Sequence, residues 1–326
     1  YLFYVSGVVV GFGIVSLMFL TIPTLINRWF SQRAGLFMGI CFAMSGVGGA
    51  VWSMVGGLII DASTWRVAYQ VFSALVLVIG LFATLVCVRS YPEEVGLRPF
   101  GAQPLQEDAA SAHDGERHKL RGVSASVMFR SPIFYLLIFS MGIFNALTVT
   151  VSLYATYIHH LGSLGMAGIT PDGAVIMASV IASCLMAVSA CSKVLLGAIS
   201  DKSMVGALSI VFVGGVVSIC CMWFGASSPG VIVFGGALGG VLYAAFDALA
   251  PSITRQIVGP RDYTIIYSRV AIVVNLAGAV AATVFAAVAE ASWEAEWVMS
   301  LILVTVAFAS CVAAVRFGKN LEQTLE

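Results

Sequence analysis

The chain has 326 residues, 60% apolar and only 10% charged, with a mean hydropathy of +1.00. A water-soluble domain carries nearer 25% charged residues because its surface faces water, so most of this chain's surface faces something else. Sixteen Lys and Arg balance sixteen Asp and Glu, and no net field points to nucleic acid as a partner. The seven cysteines (Cys41, Cys87, Cys184, Cys191, Cys220, Cys221 and Cys311) are scattered through apolar runs. They form no C-x-x-C pair and have no His at ligand spacing, so they read as small core residues rather than a disulfide or zinc framework.

A bilayer core is crossed by about 20 apolar residues in helical form. Nine such runs occur in order: 1–27, 34–60, 66–88, 132–158, 172–199, 204–225, 230–254, 263–289 and 294–315. The ten-residue alternating strands of an outer-membrane barrel are absent. The predicted fold is therefore an all-α integral membrane bundle. Basic residues fall in every second connection: Arg28 and Arg33, then the loop from Arg89 to Arg130, then Lys202, then Arg255 and Arg261, then Arg316 and Lys319. The intervening connections carry almost none. Cytoplasmic loops hold the excess of Lys and Arg, so these loops and the tail 318–326 are expected in the cytoplasm, with Tyr1 on the far side. Segment 89–131, containing "EDAASAHDGERHKLRG", is too polar to bury a core and reads as a cytoplasmic linker. A surface helix is expected near 118–130, and His113 and His118 read as solvated.

The chain also repeats itself. A shift of 228 residues places Gly11 on Gly239, Pro23 on Pro251, Arg33 on Arg261 and Trp65 on Trp293. Repeats of this kind build many transporters, with the substrate site at the midplane between the halves. Three spans precede the linker and six follow it. Matching halves would require about 97 residues and three helices before Tyr1, so the chain is expected to be helices 4–12 of a twelve-helix protein. Its parts are then a truncated N-terminal half (1–88), the linker (89–131), a six-helix C-terminal half (132–317) and the tail.

Ionisable groups inside a span are costly and mark function. Lys193 lies eight residues before Asp201, Asp247 eight before Arg255, and Arg269 eight after Arg261. Each is thus about 12 Å from its cytoplasmic helix end, and one acid and two bases share a depth. A cation in a water-filled cavity can pair with an anionic substrate, and an acid beside it can take a proton or hold the cation when the site is empty. The structural alternative has Lys193 and Arg269 snorkelling to the interface. In the run 132–158, Asn145, Thr148, Tyr154 and Tyr157 are polar, and Asn145 and Tyr154 are taken as cavity candidates. Tyr157, His159 and His160 fit an interfacial belt. Thr21, Thr24, Asn27 and Ser45 are weaker candidates. In "GAISDK", Gly197 permits close helix packing. Asp201 can cap the next helix or pair with a basic residue of another turn, and Lys202 is a positive-inside residue.

The stretch "NRWFSQRAGLFMGICFAMSGVGGAVWSMVGGLIIDASTWRVAYQ", with Arg33-x-Gly35 and Trp65-Arg66, resembles the fourth-to-sixth helix region of the major facilitator superfamily. The likeness is to its monocarboxylate-transporter-like and oxalate/formate-exchanger-like branch. "YPEEVGLRPFG" resembles that branch too, and "GAISDK" resembles the second copy of the superfamily's cytoplasmic signature. The resemblance implies a major-facilitator-type bundle in which helices 8, 10 and 11 face a central cavity. It implies a gating role for Arg33, Gly35, Gly197, Asp201 and Lys202. Lys193 occupies the position, four before the helix 8 glycine, where the branch carries a basic residue, typically Arg. Lys in place of Arg is a point charge without a bidentate fork. The helix 11 lysine of oxalate-type exchangers has no counterpart at Val274 or Asn275, which argues against a small dicarboxylate.

The function expected is secondary active transport of small organic anions, monocarboxylates foremost, by proton symport or anion exchange, in the bacterial plasma membrane. Protons and the lipid bilayer are the further partners. No cofactor, metal or nucleotide is expected, since "GFGIVS" lacks the Lys-Ser/Thr of a phosphate loop. An enzyme is disfavoured by the lack of a Ser/His/Asp set or metal-ligand spacing. The alternatives are an exporter of neutral or cationic compounds, with Asp247 as the recognition group, and a non-transporting membrane scaffold or sensor.

Overall fold

The computed structural model describes residues 2–101, 124–165, 170–259 and 262–324. His113, His118 and Arg261 lie outside these residues. Helix α1 (Leu2–Ile14) runs through a π-helical turn (Val15–Thr21) into α2 (Ile22–Trp29). Pro23 in the first turn of α2 explains the widening, because its ring collides with the carbonyl four residues back and supplies no N–H. The Thr21 hydroxyl takes up the Ser16 carbonyl at 2.8 Å. Helices α3 (Ala34–Ala62) and α4 (Trp65–Phe82) follow. The short α5 (Ala125–Met128) lies where a surface helix was expected.

The run 132–158 becomes two helices, α6 (Pro132–Ser152) and α7 (Tyr154–Ser163), broken at Leu153. Then come α8 (Pro171–Ser200), α9 (Met204–Phe224), α10 (Pro229–Val258), α11 (Tyr263–Ala291) and α12 (Trp293–Thr324). Starts are marked by short polar side chains. Ser131 accepts from Ile133 N, Thr170 from Gly173 N and Ser203 from Gly206 N. Trp65 and Trp293, paired by the internal shift, each open a helix. Pro23 and Pro251 lie within α2 and α10.

Among the described residues, eight helical stretches are long and apolar enough to cross a membrane. The remaining predicted run forms the 29-residue α3. The main core belongs to α6–α12 and is built around Trp297, Tyr154, Tyr267 and Phe144. A second, small cluster of Ile26, Ala34, Met38 and Phe42 holds α2 to α3. Large apolar side chains on α1 and α4, such as Phe12 and Phe82, point outward, as lipid-facing positions do.

The basic connections gather at one end of the bundle. Arg28 stacks over Tyr91, Trp29 Nε1 donates to Arg89 O (3.0 Å), and Phe100 N donates to Trp29 O (2.7 Å). The start of the linker is thereby folded onto the α2–α3 turn. On the opposite end Trp293 packs on Tyr157 and His160.

The two halves meet where α3 crosses α8. A Cβ placed on Gly35 would lie 2.6 Å from Gly197 O, and one on Gly39 would run into Lys193 O. Small residues let these backbones touch. Asp201, at the end of α8, accepts Gly35 N (2.8 Å) and Leu36 N (2.9 Å) on its two carboxylate oxygens. Asp201, expected either to cap the next helix or to pair with a basic residue of another turn, instead caps α3, while Ser203 caps α9. A carboxylate at a helix N-terminus satisfies two orphan donors and meets the positive end of the dipole. Arg255 Nη2 adds a bond to Phe30 O (2.9 Å). Beyond Gly46 the helices separate: Gly49 has nothing within 4 Å, and Val51 and Trp52 are exposed.

Gly39→Leu is expected to lower the melting temperature of the detergent-solubilised protein, at a cost of about 1–3 kcal/mol for the clash. Gly49→Leu, with nothing in its way, is expected to melt at or above wild type, because leaving Gly gains up to about 1 kcal/mol of helix propensity. Scanning fluorimetry of both variants checks the pair. Equal melting temperatures would remove the close crossing.

Candidate functional site

Lys193 and Asp247 lie on α8 and α10, which run in the same direction. Lys193 Nζ is 2.7 Å from Asp247 Oδ2, with the side chains only 4% and 12% exposed. The ammonium also donates to Ser45 Oγ on α3 (3.1 Å). Ser45 gives its own proton to Phe42 O (2.6 Å), which leaves its lone pairs for Lys193. The cation therefore turns inward instead of snorkelling. The low local dielectric strengthens its pairing and makes loss of either partner expensive.

The pair lies on the wall of a cavity of about 350 Å³ between α1, the π turn, α3, α6, α8 and α10. Ser45, Asn145, Thr148 and Ser189 add polar groups to it, and Met18, Met186, Tyr243 and Phe246 form an apolar wall. Asn145 stands at the cavity with its Nδ2 committed to Val274 O of α11 (2.9 Å), and Gly278 leaves it room. Thr148 donates to Asn145 O (2.6 Å).

Tyr154 does not join the ion pair. Its hydroxyl shares a hydrogen bond with Ser218 (2.9 Å), which in turn donates to Gly235 O (2.7 Å). The ring lies 2.7 Å from where a Cβ on Gly239 would stand. It forms part of the lining of a separate pocket of about 130 Å³. Arg269 also stands apart from the pair. It is exposed, and its guanidinium lies over Phe129 at 5.0 Å. The reason is helical phase: Tyr263, Tyr267, Val270 and Val274 form the buried stripe of α11, and Arg269 lies off it. The expected shared depth holds no third charge in the cavity. At Val274 and Asn275 no cation stands, and Asn275 Nδ2 bonds its own helix at Ala271 O (2.8 Å).

Of the signature residues, Gly35, Gly197 and Asp201 make the crossing described above. Arg33 sits in the left-handed region (φ 55°) just before α3. Arg33 and Lys202 are exposed and, with Gly35, Asp201 and Arg255, border a cavity of about 770 Å³ at the basic end. Among the described residues, no three His, Cys, Asp or Glu side chains gather as a metal site would need.

Sequence reasoning passed over Ser189, Tyr243, Met186 and Phe246, and ranked Ser45 low. Two of these carried a usable signal. Ser189 is four residues before Lys193 and Tyr243 four before Asp247, so each shares a helical face with a charge. The α12 acid Glu296 was read only as part of an acidic turn. It is fully buried and accepts Ser300 Oγ at 2.9 Å, with Thr150 Oγ1 against the same serine at 2.8 Å.

Two comparisons with known proteins bear on this site. The chain is 38% identical over 73 residues to the Riboflavin transporter RibJ of Trypanosoma cruzi (strain CL Brener). That stretch is 22% of this chain and 15% of the relative, so the chain spans only a small part of that transporter's length. The profile of the Major Facilitator Superfamily matches residues 1–223, covering the α3–α8 crossing and Lys193. With more than half of its length under that profile, the chain belongs to the Major Facilitator Superfamily, whose members are membrane transporters.

Proposed function

We propose that the chain is a secondary transporter of organic anions, monocarboxylates foremost, working by alternating access. The observation that carries this reading is the Lys193–Asp247 pair on the wall of the central cavity. A cation whose partner is a carboxylate already displays the chemistry of the cargo. A substrate carboxylate can replace Asp247 at the ammonium, trading one charge-assisted bond for another; the displaced Asp247 then takes a proton or meets water in the cavity, because a buried carboxylate left without a partner is expensive.

Two coupling modes follow from the same pair. A proton on Asp247 Oδ2 removes its charge and frees Lys193 for the substrate, so proton and anion travel together. Without the proton, Lys193 is satisfied only while an anion or Asp247 faces it, which favours exchange. The reading places the basic end in the cytoplasm of a bacterial plasma membrane, following the distribution of Lys and Arg. The Asp201–α3 contact then acts as the cytoplasmic latch, with the divergence of α3 and α8 beyond Gly46 leaving the outer side open.

A second reading is a neutral aromatic cargo. It is favoured by the 73-residue likeness to a riboflavin transporter and by the Met and aromatic wall. Asp247 would then serve recognition rather than proton coupling.

Counterflow of labelled carboxylates, with riboflavin as the competing cargo, separates the readings in proteoliposomes of the full-length protein. Lys193→Gln is expected to lower carboxylate uptake about 30-fold or more, the effect of losing one buried charge-assisted contact; Lys193→Arg should recover part of it. Carboxylate uptake equal to wild type in Lys193→Gln would falsify the anion reading. Under an imposed pH gradient, Asp247→Asn should keep counterflow and lose the response to the gradient, whereas uptake that still follows the gradient would remove Asp247 from coupling.

The latch has its own readout. Asp201→Ala should raise thiol labelling of Met38→Cys, which is fully buried in the parent protein at the basic-end cavity. A lost cap of about 1–2 kcal/mol corresponds to about a 5- to 30-fold shift in the closed population, and an unchanged labelling rate would deny the latch.

A further inference from the structure

The central cavity ends against Met186 and Tyr243, and the same two side chains line the far, smaller pocket of about 130 Å³. These two side chains are common to the linings of both spaces. We propose that the smaller pocket is an apolar subsite that receives the hydrocarbon end of a carboxylate held at Lys193. This inference rests on the anion reading and adds the length and chemistry of the cargo.

Helix geometry fixes the distance. Ser189 is one turn from Lys193 on α8 and Tyr243 one turn from Asp247 on α10, both away from the basic end. Met186 and Leu185 lie about two turns out, roughly 10 to 12 Å along the axis from the backbone of Lys193 at 1.5 Å per residue. A cargo that touches Lys193 with its charge and fills the pocket with its tail must span about that distance. Short acids such as acetate cannot do both.

Chemistry fixes the tail. Ala178, Ile181, Leu185 and the Tyr154 ring contribute apolar lining. Tyr154 OH is committed to Ser218, and Ser152 Oγ donates to Thr148 O at 3.0 Å. Both hydroxyl protons are committed, so a polar tail that needs a donor would meet none at either group and would forfeit its hydration. The volume is near that of an engineered apolar cavity of about 150 Å³ that accepts benzene in another protein. One ring, or a branched alkyl group of similar bulk, matches the space. Met186 is the natural door, since an unbranched thioether changes rotamer at little cost and packs well on aromatic rings. The class indicated is an arylalkanoate or branched medium-chain monocarboxylate that enters carboxylate first.

The test is a ladder of acids competing against labelled 4-phenylbutyrate in proteoliposomes of the full-length protein: acetate, butyrate, phenylacetate and unlabelled 4-phenylbutyrate. The half-inhibitory concentration should fall at least tenfold between butyrate and 4-phenylbutyrate. Ala182→Phe, which adds a ring at the pocket wall, should cut the ratio between those two acids to near one. Leu185→Ala, which widens the pocket, should shift preference toward a bulkier naphthyl acid. A flat ladder in the wild-type protein overturns the subsite and leaves the anion reading standing. Competition by none of the acids, from protein that still melts cooperatively, overturns both. A ladder of the expected slope that survives Ala182→Phe unchanged places the tail elsewhere and overturns the assignment to this pocket.

Discussion

An ammonium inside a bilayer must be answered by something, and the structure answers Lys193 twice. Leaving a charge unpartnered near the middle of a membrane costs at least about 3 kcal/mol by insertion scales. Asp247 supplies the opposite charge and Ser45 a hydroxyl whose own proton is already committed. The cavity is arranged around this requirement. Polar groups from α3, α6 and α8 stand near the charges, and the wall turns apolar one or two helical turns away. An ion pair of this kind is weak evidence for stability, since a well-packed apolar pair often serves as well. On the proposed reading, the pair is there for what it can exchange.

The same two helices that bear the lysine and its serine also form the contact between the halves. Gly35, Gly39 and Gly197 bring α3 and α8 to backbone contact, and Lys193 contributes its carbonyl to that contact as well as its side chain to the cavity. The Asp201 cap and the Ser45–Lys193 bond are thus on one crossing. Any motion that separates α3 from α8 at the basic end must break the Asp201 cap and disturb the Ser45–Lys193 bond together. Packed interfaces of this type favour discrete arrangements over gradual deformation.

Much of the fold was legible because the bilayer imposes a simple rule on sequence: apolar runs of fixed length with basic residues between them. Boundaries of α8 to α11 follow that rule closely, whereas α12 runs on to Thr324, nine residues past the predicted run and through most of the expected tail. The break at Leu153 was not legible, since no Pro or Gly stands there and Tyr154 is held by tertiary bonds to Ser218. For the site, the depth of Lys193 and Asp247 could be counted from the helix ends, but their mutual contact could not. Arg269 shows the limit of counting. Depth alone placed it with the other charges, whereas angle about the axis of α11 set it beside Phe129. Asp201 shows another limit. A capping residue announces itself locally, yet the helix it caps lies 166 positions earlier in the chain.

Lys193 and Asp247 both follow the linker in the chain, whereas among the described residues the segment before it contributes Ser45 to the contacts that hold the ammonium. The charges therefore ride on one body. On the proposed transport reading, a cargo bound to them would keep its electrostatic environment whichever side the first half uncovered, and that half would work as a shutter sliding past a fixed berth. Selectivity and access would then be separable properties, open to change by substitutions on different helices.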